Sequence, residues 1–494
     1  VEFFEDSVLK LRVRLFVVVC VTWFLVGCVS GDTEAPAAGL DAGDVEKATD
    51  TGADAATAEP DGSSESPVLP AGSFLFGVSS RLPTENEFAR RTQLDMGGAA
   101  GIQIFRRDIN WDVIEVEDGV FNVEAYDAMV DDTLAHGHSI LGMLGFGVDW
   151  AMGIDDHDSI DPADFAEFVS RTVAHYKGRI RYWEVWNEEN WIVFWKPTPS
   201  PEAYGDLLKA AYTAAHEADP DCVVSFGGMS PTDFIMGEMW KFLEDVYTAH
   251  PDIADYFDAV AIHPYTMLQV LCPEEEGENG SVAQQVRHAY EILERHGDTD
   301  KPIWITESGW PACPCPPHDP PSRNVTWEQQ AQYMVRGNIL AISEGAQLLV
   351  WYTFADGQPG PDSTSESYFG LVQWDEDPSA DPPPGPKPAY HAYAGMTSRL
   401  AGMCYESDLR EELLLDEAAY GFRFRAPDGS RHVDVLWTSE PGGEVPISYD
   451  SSPSGDIAVR GMYGDAIDVD SSEGTLAVTA TESPLYVVVK HLAM

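Results

Sequence analysis

Basic side chains are scarce in this chain: 29 Lys and Arg stand against 83 Asp and Glu, a net charge of −54 over 494 residues. That imbalance excludes nucleic acid and anionic membrane surfaces as partners held by charge, because each phosphate would be repelled, and it favours neutral substrates. Cysteine is sparse as well, with seven residues, and Cys313-Pro314-Cys315 lacks the spacing of a zinc site. The glycine fingerprint of a dinucleotide-binding turn is missing too. The sequence therefore calls for no metal and no cofactor. The apolar run Leu15 to Val26 is too short to span a bilayer comfortably as a permanent helix. Nothing in the sequence sets an oligomeric state.

That run follows Lys10, Arg12 and Arg14, which makes residues 1–27 read as an export signal. It ends in Leu25-Val26-Gly27-Cys28, which resembles the lipobox of bacterial lipoproteins. The resemblance implies cleavage before Cys28, lipid on that cysteine, and an exported protein held to the membrane by its lipid anchor alone, in the periplasm, outer membrane or cell surface. Residues 28–70 are rich in Asp, Ala, Thr, Gly, Glu, Ser and Pro, with almost no large apolar side chain to offset the entropy of ordering, so a disordered acidic tether is expected. Export permits disulfides. A loop staple such as Cys272 to Cys313 or Cys315 is expected, with the connectivity open.

From Ser73 onward short apolar runs alternate with amphipathic stretches. The runs are Phe74–Val78, Ile102–Phe105, Ser139–Leu144, Arg181–Trp186, Val223–Phe226, Ala259–Ile262, Pro302–Thr306 and Gln347–Trp351. Between them, residues such as Phe165, Phe168, Val169, Thr172, Val173 and Tyr176 recur at helical spacing. Asp161-Pro162 reads as a helix start, and Thr326 with Gln329 as a capping box. Eight such alternations predict a (β/α)8 TIM barrel over residues 71–402. After the Pro-rich stretch Asp381 to Pro386 and one more helix, Gly421–Phe424, Val433–Trp437 and Leu485–Val489 read as strands of a small β-sandwich over residues 403–494.

Two glutamates end buried strands among tryptophans: Glu188 after Tyr182-Trp183-Glu184-Val185-Trp186-Asn187, and Glu307 in Trp304-Ile305-Thr306-Glu307-Ser308-Gly309-Trp310. Strand carboxyl ends are where barrel enzymes place their chemistry, and a carboxylate so placed is poorly hydrated. Trp186-Asn187-Glu188-Glu189-Asn190-Trp191 and Thr306-Glu307-Ser308-Gly309-Trp310 resemble the acid/base and nucleophile segments of clan A glycoside hydrolases, most closely family 39, which includes β-xylosidases and exopolysaccharide-cleaving endoglycosidases. The segments Phe105-Arg106-Arg107-Asp108 and His263-Pro264-Tyr265 are similar to that family as well. The resemblance implies a retaining hydrolase of β-glycosidic bonds in an oligo- or polysaccharide, with Glu188 as acid/base and Glu307 as nucleophile. It further implies that Asn187 binds the sugar 2-hydroxyl and that Arg106 and Tyr265 flank Glu307 and keep it ionised. His263 would line the floor, and Trp150, Trp310 and Trp351 would stack on sugar rings. Where family 39 usually has proline after the acid/base, this chain has Glu189, a carboxylate expected to raise the acid's pKa further. The competing expectation is a catalytically silent surface lectin on the same barrel.

Overall fold

The computed structural model describes residues 72–491 apart from 85, 154–155, 232–238, 267–271, 277–279, 314–323, 358–363, 374–384, 451–454, 470 and 473–474. The expected signal segment, Cys28 and the tether lie outside the described residues, as do Cys315 and most of the Pro311–Pro321 loop.

Eight strands close into a parallel barrel in chain order: β1 (Leu75–Ser79), β2 (Ile104–Asn110), β3 (Ser139–Gly145), β4 (Tyr182–Val185), β5 (Val223–Met229), β6 (Ala259–Ile262), β7 (Ile303–Ser308) and β8 (Leu348–Trp351). Closure is made by β1 on β8, with Leu75 opposite Leu348 and Val78 opposite Trp351. A helix follows each strand: α1 (Glu87–Ala99), α2 (Asp127–Ala135), α3 (Pro162–Tyr176), α4 (Pro201–Ala218), α5 (Met239–Ala249), α6 (Val282–His296), α7 (Trp327–Ser343) and α8 (Pro388–Leu400). The start signals act as expected. The Asp161 carboxylate accepts from the Ala163 amide with Pro162 in the first turn, and Thr326 and Gln329 cap each other's backbones at the head of α7.

The strand period of two sorts the side chains. Ile104, Leu141, Val223, Ala259, Trp304, Leu348 and Val350 fill the lower barrel as an apolar plug. Two positions further along their strands the interior turns polar, with Arg106, Glu184 and Thr306 all buried. Outward positions such as Phe105, Trp183, Phe226 and Ile305 join the core beneath the helices. The plug supports the layer on which the polar groups stand.

The C-terminal region forms a six-stranded antiparallel sheet and a three-stranded one. Leu436, Ile447, Tyr449, Leu476, Val478 and Leu485 pack between them. The other face of the larger sheet, with Phe422, Phe424, Val433, Val435 and Trp437, is continuous with the barrel core, and Phe424 meets Phe74 edge-on at 5.9 Å. The expected staple needs correction. Cys272 is free, as are Cys222 and Cys404, while Cys313 is disulfide-bonded. Cys272 instead sits half-buried beside Glu274, in a loop fastened by an ion pair.

Candidate active site

At the end of β4 the chain passes through two left-handed residues, Trp186 (φ 75°) and Glu188 (φ 50°). Such angles are unfavourable for residues with a Cβ, above all a bulky one, and persist where neighbours over-determine them. Here the Trp186 amide donates to the Leu144 carbonyl and the Glu188 amide to the Gly228 carbonyl, both at 2.9 Å. The turn is thereby pinned to β3 on one side and β5 on the other.

Arg106, near the middle of β2, is the hub. Its Nε donates to Glu184 at 2.6 Å, one terminal nitrogen to Glu307 Oε1 at 2.6 Å, and the other to Asn187 Oδ1 at 2.8 Å. Tyr265 donates its hydroxyl to Glu307 Oε2 at 2.9 Å. Both oxygens of Glu307 therefore face donors. Glu188 faces His263 instead, with Oε1 2.9 Å from Nδ1, and the other ring nitrogen lies 3.1 Å from the Thr306 hydroxyl. Thr306 in turn donates to Glu184 Oε1 at 2.7 Å.

Burial pushes Glu307 up to about 7, with the Arg106 charge and the Tyr265 hydrogen bond opposing it. Burial also carries Glu188 well above the usual carboxylate range, and the charge of Glu307 carries it further. The first ionisation of the pair thus belongs to Glu307. Burial and the Arg106 charge hold His263 well below the usual histidine range, so it is neutral.

Six of the expected site residues are thus brought together: Arg106, Asn187, Glu188, His263, Tyr265 and Glu307. The tryptophans are not. Trp310 and Trp351 are only 1% and 2% exposed and pack on each other at 6.1 Å in the helix layer, so the expected open faces are absent. Alternation explains it: Leu348 and Val350 point inward, so Trp351 points out. Tyr352, the next inward position, feels the charges of Glu307 and Glu366 and stands where a platform was expected. Trp150 is half-buried in a separate cleft of about 350 Å³, lined by Asp112, Glu117 and Asp149 on the segments after β2 and β3.

Glu184, Thr306 and Gly228 also escaped the sequence reading. A Cβ on Gly228 would lie 2.1 Å from His263 Nε2 and 2.6 Å from Thr306 Oγ1, so only glycine fits there. The signal was present in the alternation of β4, β5 and β7, masked because polar residues inside a barrel look like strand ends.

Glu188, His263 and Glu307 each offer a metal-ligating atom, all within 4.8 Å of one another. The Arg106 guanidinium already occupies that anionic side, so a metal ion would meet its charge directly.

Glu189 requires a further correction. It contributes nothing resolved to Glu188; instead it packs against Gly227, with neither carboxyl oxygen bonded to another side chain. Burial, with the Glu184 charge adding, raises its pKa well above the usual range. In the unfolded chain it ionises near pH 4.3, whereas the folded protein keeps the proton, so this residue lowers stability as pH rises from that point to its folded pKa. Glu189→Gln removes the titration. The expected outcome is a melting temperature about 2 °C or more higher at pH 8 and unchanged at pH 4, read by calorimetry across pH.

No family model and no curated protein sequence matches this chain. Solved structures do. A family 39 glycoside hydrolase from the gut symbiont Bacteroides cellulosilyticus WH2 superposes with a TM-score of 0.67 at 22% identity, over 84% of this chain and 80% of that one. A monomeric β-xylosidase from Caulobacter crescentus gives 0.57 at 18% identity, over 85% and 97%. The GH39 enzyme from Xanthomonas axonopodis pv. citri gives 0.56 at 17% identity, over 85% and 96%. The chain therefore shares the fold of these glycoside hydrolases, a (β/α)8 barrel with an appended β-domain.

Proposed function

We propose that this chain is a retaining β-glycoside hydrolase of the family 39 type, acting on a neutral or weakly charged oligo- or polysaccharide. One observation carries the reading. Two carboxylates, Glu188 buried and Glu307 partly buried, have oxygens within 4.8 Å of each other and opposite surroundings, Glu307 among donors and Glu188 against an imidazole. Carboxyls about 5 to 5.5 Å apart suit direct attack, whereas inversion needs about 6.5 to 9.5 Å to admit water.

In the first step a Glu307 oxygen attacks the anomeric carbon, the glycosidic C–O bond breaks, and the departing oxygen takes the Glu188 proton. Esterification removes the charge of Glu307 and with it part of what kept Glu188 protonated. Glu188 then takes a proton from water as that water attacks the anomeric carbon and the ester bond to Glu307 breaks. Asn187 has its oxygen engaged by Arg106, which leaves its amide protons for the sugar 2-hydroxyl. Tyr352 is the aromatic surface beside the reacting ring.

The Caulobacter protein is a β-xylosidase, which makes aryl β-xylosides the first substrates to try. Export as a lipoprotein anchored through Cys28, on its acidic tether, belongs to the same proposal and rests on the sequence of residues 1–70.

Proton NMR of the first-formed sugar tests the mechanism: the β-anomer is expected before mutarotation, and the α-anomer refutes retention. In the same assay Glu188→Ala should lose about 10²- to 10⁴-fold on poor leaving groups. It should lose far less on activated aryl glycosides and form a β-glycosyl azide when azide is added. Equal losses on both substrate types would remove Glu188 from the acid/base role.

A further inference from the structure

The hydrogen bonds around the acid/base form a chain whose protons can be assigned one by one. Glu184 is 0% exposed and ion-paired with Arg106, so it is a carboxylate and accepts. Thr306 has a single hydroxyl proton, and its 2.7 Å contact with Glu184 consumes it. The Thr306 oxygen then offers His263 Nε2 only lone pairs at 3.1 Å, so Nε2 carries the imidazole proton. A neutral imidazole has one proton, which leaves Nδ1 with a lone pair directed at Glu188 Oε1, 2.9 Å away.

We propose that Glu184 and Thr306 are positioning residues which fix the tautomer of His263, so that the only partner His263 offers Glu188 is an acceptor. This rests on the hydrolase reading given above. The consequence runs through both steps. In the free enzyme the contact is satisfied only when Glu188 bears the proton, and the acid is therefore loaded. Once the proton has gone to the leaving group, the carboxylate meets a lone pair rather than a donor at His263, which strengthens Glu188 as the base that deprotonates water. Because Arg106 bonds both Glu184 and Glu307, one continuous chain links nucleophile to acid/base.

The groups facing this pair come from several elements. Glu188 meets the charges of Glu307 on β7, Arg106 on β2 and Glu366 after β8, with Ser230 after β5 hydrogen-bonded to it. Tyr265 after β6 lies within reach of both glutamates, and His263 meets Arg106. All of these stay in place when only the Thr306 hydroxyl is removed.

Thr306→Val is the test. With its acceptor gone, the imidazole proton moves to Nδ1 and donates to Glu188, which now favours the carboxylate. The alkaline limb of kcat/KM should fall by about one pH unit, the worth of a single hydrogen bond. Rates on poor leaving groups should fall more than rates on activated ones, and Thr306→Ser should return the wild-type limb. Nitrogen-15 NMR of labelled histidine, assigned with His263→Gln, reads the tautomer directly: Nε2–H in the wild type and Nδ1–H in Thr306→Val. A wild-type Nδ1–H signal overturns the proposal, as does a Thr306→Val protein whose tautomer and alkaline limb both stay put. The NMR readout needs no turnover, so a protein with the expected tautomers and no glycosidase activity would refute the hydrolase reading and leave the tautomer assignment standing.

Discussion

Glu307→Gln is expected to lower turnover by about 10⁴-fold or more while leaving saccharide binding intact, because it removes the attacking carboxylate and keeps its shape. The Arg106 guanidinium keeps its bonds to Glu184 and Asn187, and the amide oxygen of glutamine can accept from it where Glu307 Oε1 does now. The substitution also withdraws the negative charge that helps hold Glu188 above the carboxylate range, so the acid should ionise at lower pH in the variant. Two measurements complete the prediction. Wild-type protein treated with a 2-deoxy-2-fluoro aryl glycoside should gain one glycosyl mass on the peptide carrying Glu307, and the variant should gain none. A protein that binds oligosaccharide equally with or without Glu307 and never releases a reducing end would be the silent lectin instead.

The eight barrel strands were legible because their outward faces and lower interior are both apolar, so each appears as a continuous hydrophobic run. Their upper ends were not. β2 continues through Arg106 to Asn110 and β5 through Gly227 and Gly228 to Met229, where polar and glycine residues look like loop. The two glutamates stood out because each follows such a run directly. Glu184 and Thr306 did not, although both are buried at the same level. A glutamate inside a strand has no sequence mark that tells an ion-pair partner from a surface residue; only the Arg106 contact does. The tryptophan readings failed for a related reason. Trp310 and Trp351 were judged by proximity to strand ends, but side-chain direction follows the strand period, and that period turns Trp351 away and Tyr352 in. In the C-terminal sheets three strands were legible from their aromatic and β-branched runs, while short or polar ones such as Cys404–Asp408 were not.

The largest effect on stability is expected from Glu274→Ala, at about 3 to 5 kcal/mol. Glu274 stands in the loop after β6 and accepts from Arg336 Nε on α7 at 2.7 Å and from Trp437 Nε1 of the β-domain at 2.8 Å. The ion-paired side chains of Arg336 and Glu274 are 1% and 4% exposed. Truncating the glutamate strands a guanidinium that water cannot reach and orphans an indole N–H, which is why the loss exceeds that of any surface pair. The same carboxylate is where barrel loop, barrel helix and β-domain meet, since Trp437 stacks on Tyr420 at 5.2 Å and Gly337, next to Arg336, lies against Trp310. The damage should therefore reach the segment just after Glu307. Denaturant titration is expected to give a large loss for Glu274→Ala and a smaller one for Glu274→Gln, which keeps the shape and one acceptor. Glu274→Leu combined with Arg336→Met should recover most of the stability, because two well-packed apolar side chains replace a desolvated ion pair at little net cost. A double variant as unstable as Glu274→Ala would mean that the geometry of the three-way contact, rather than the unpaired charge, holds the β-domain to the barrel.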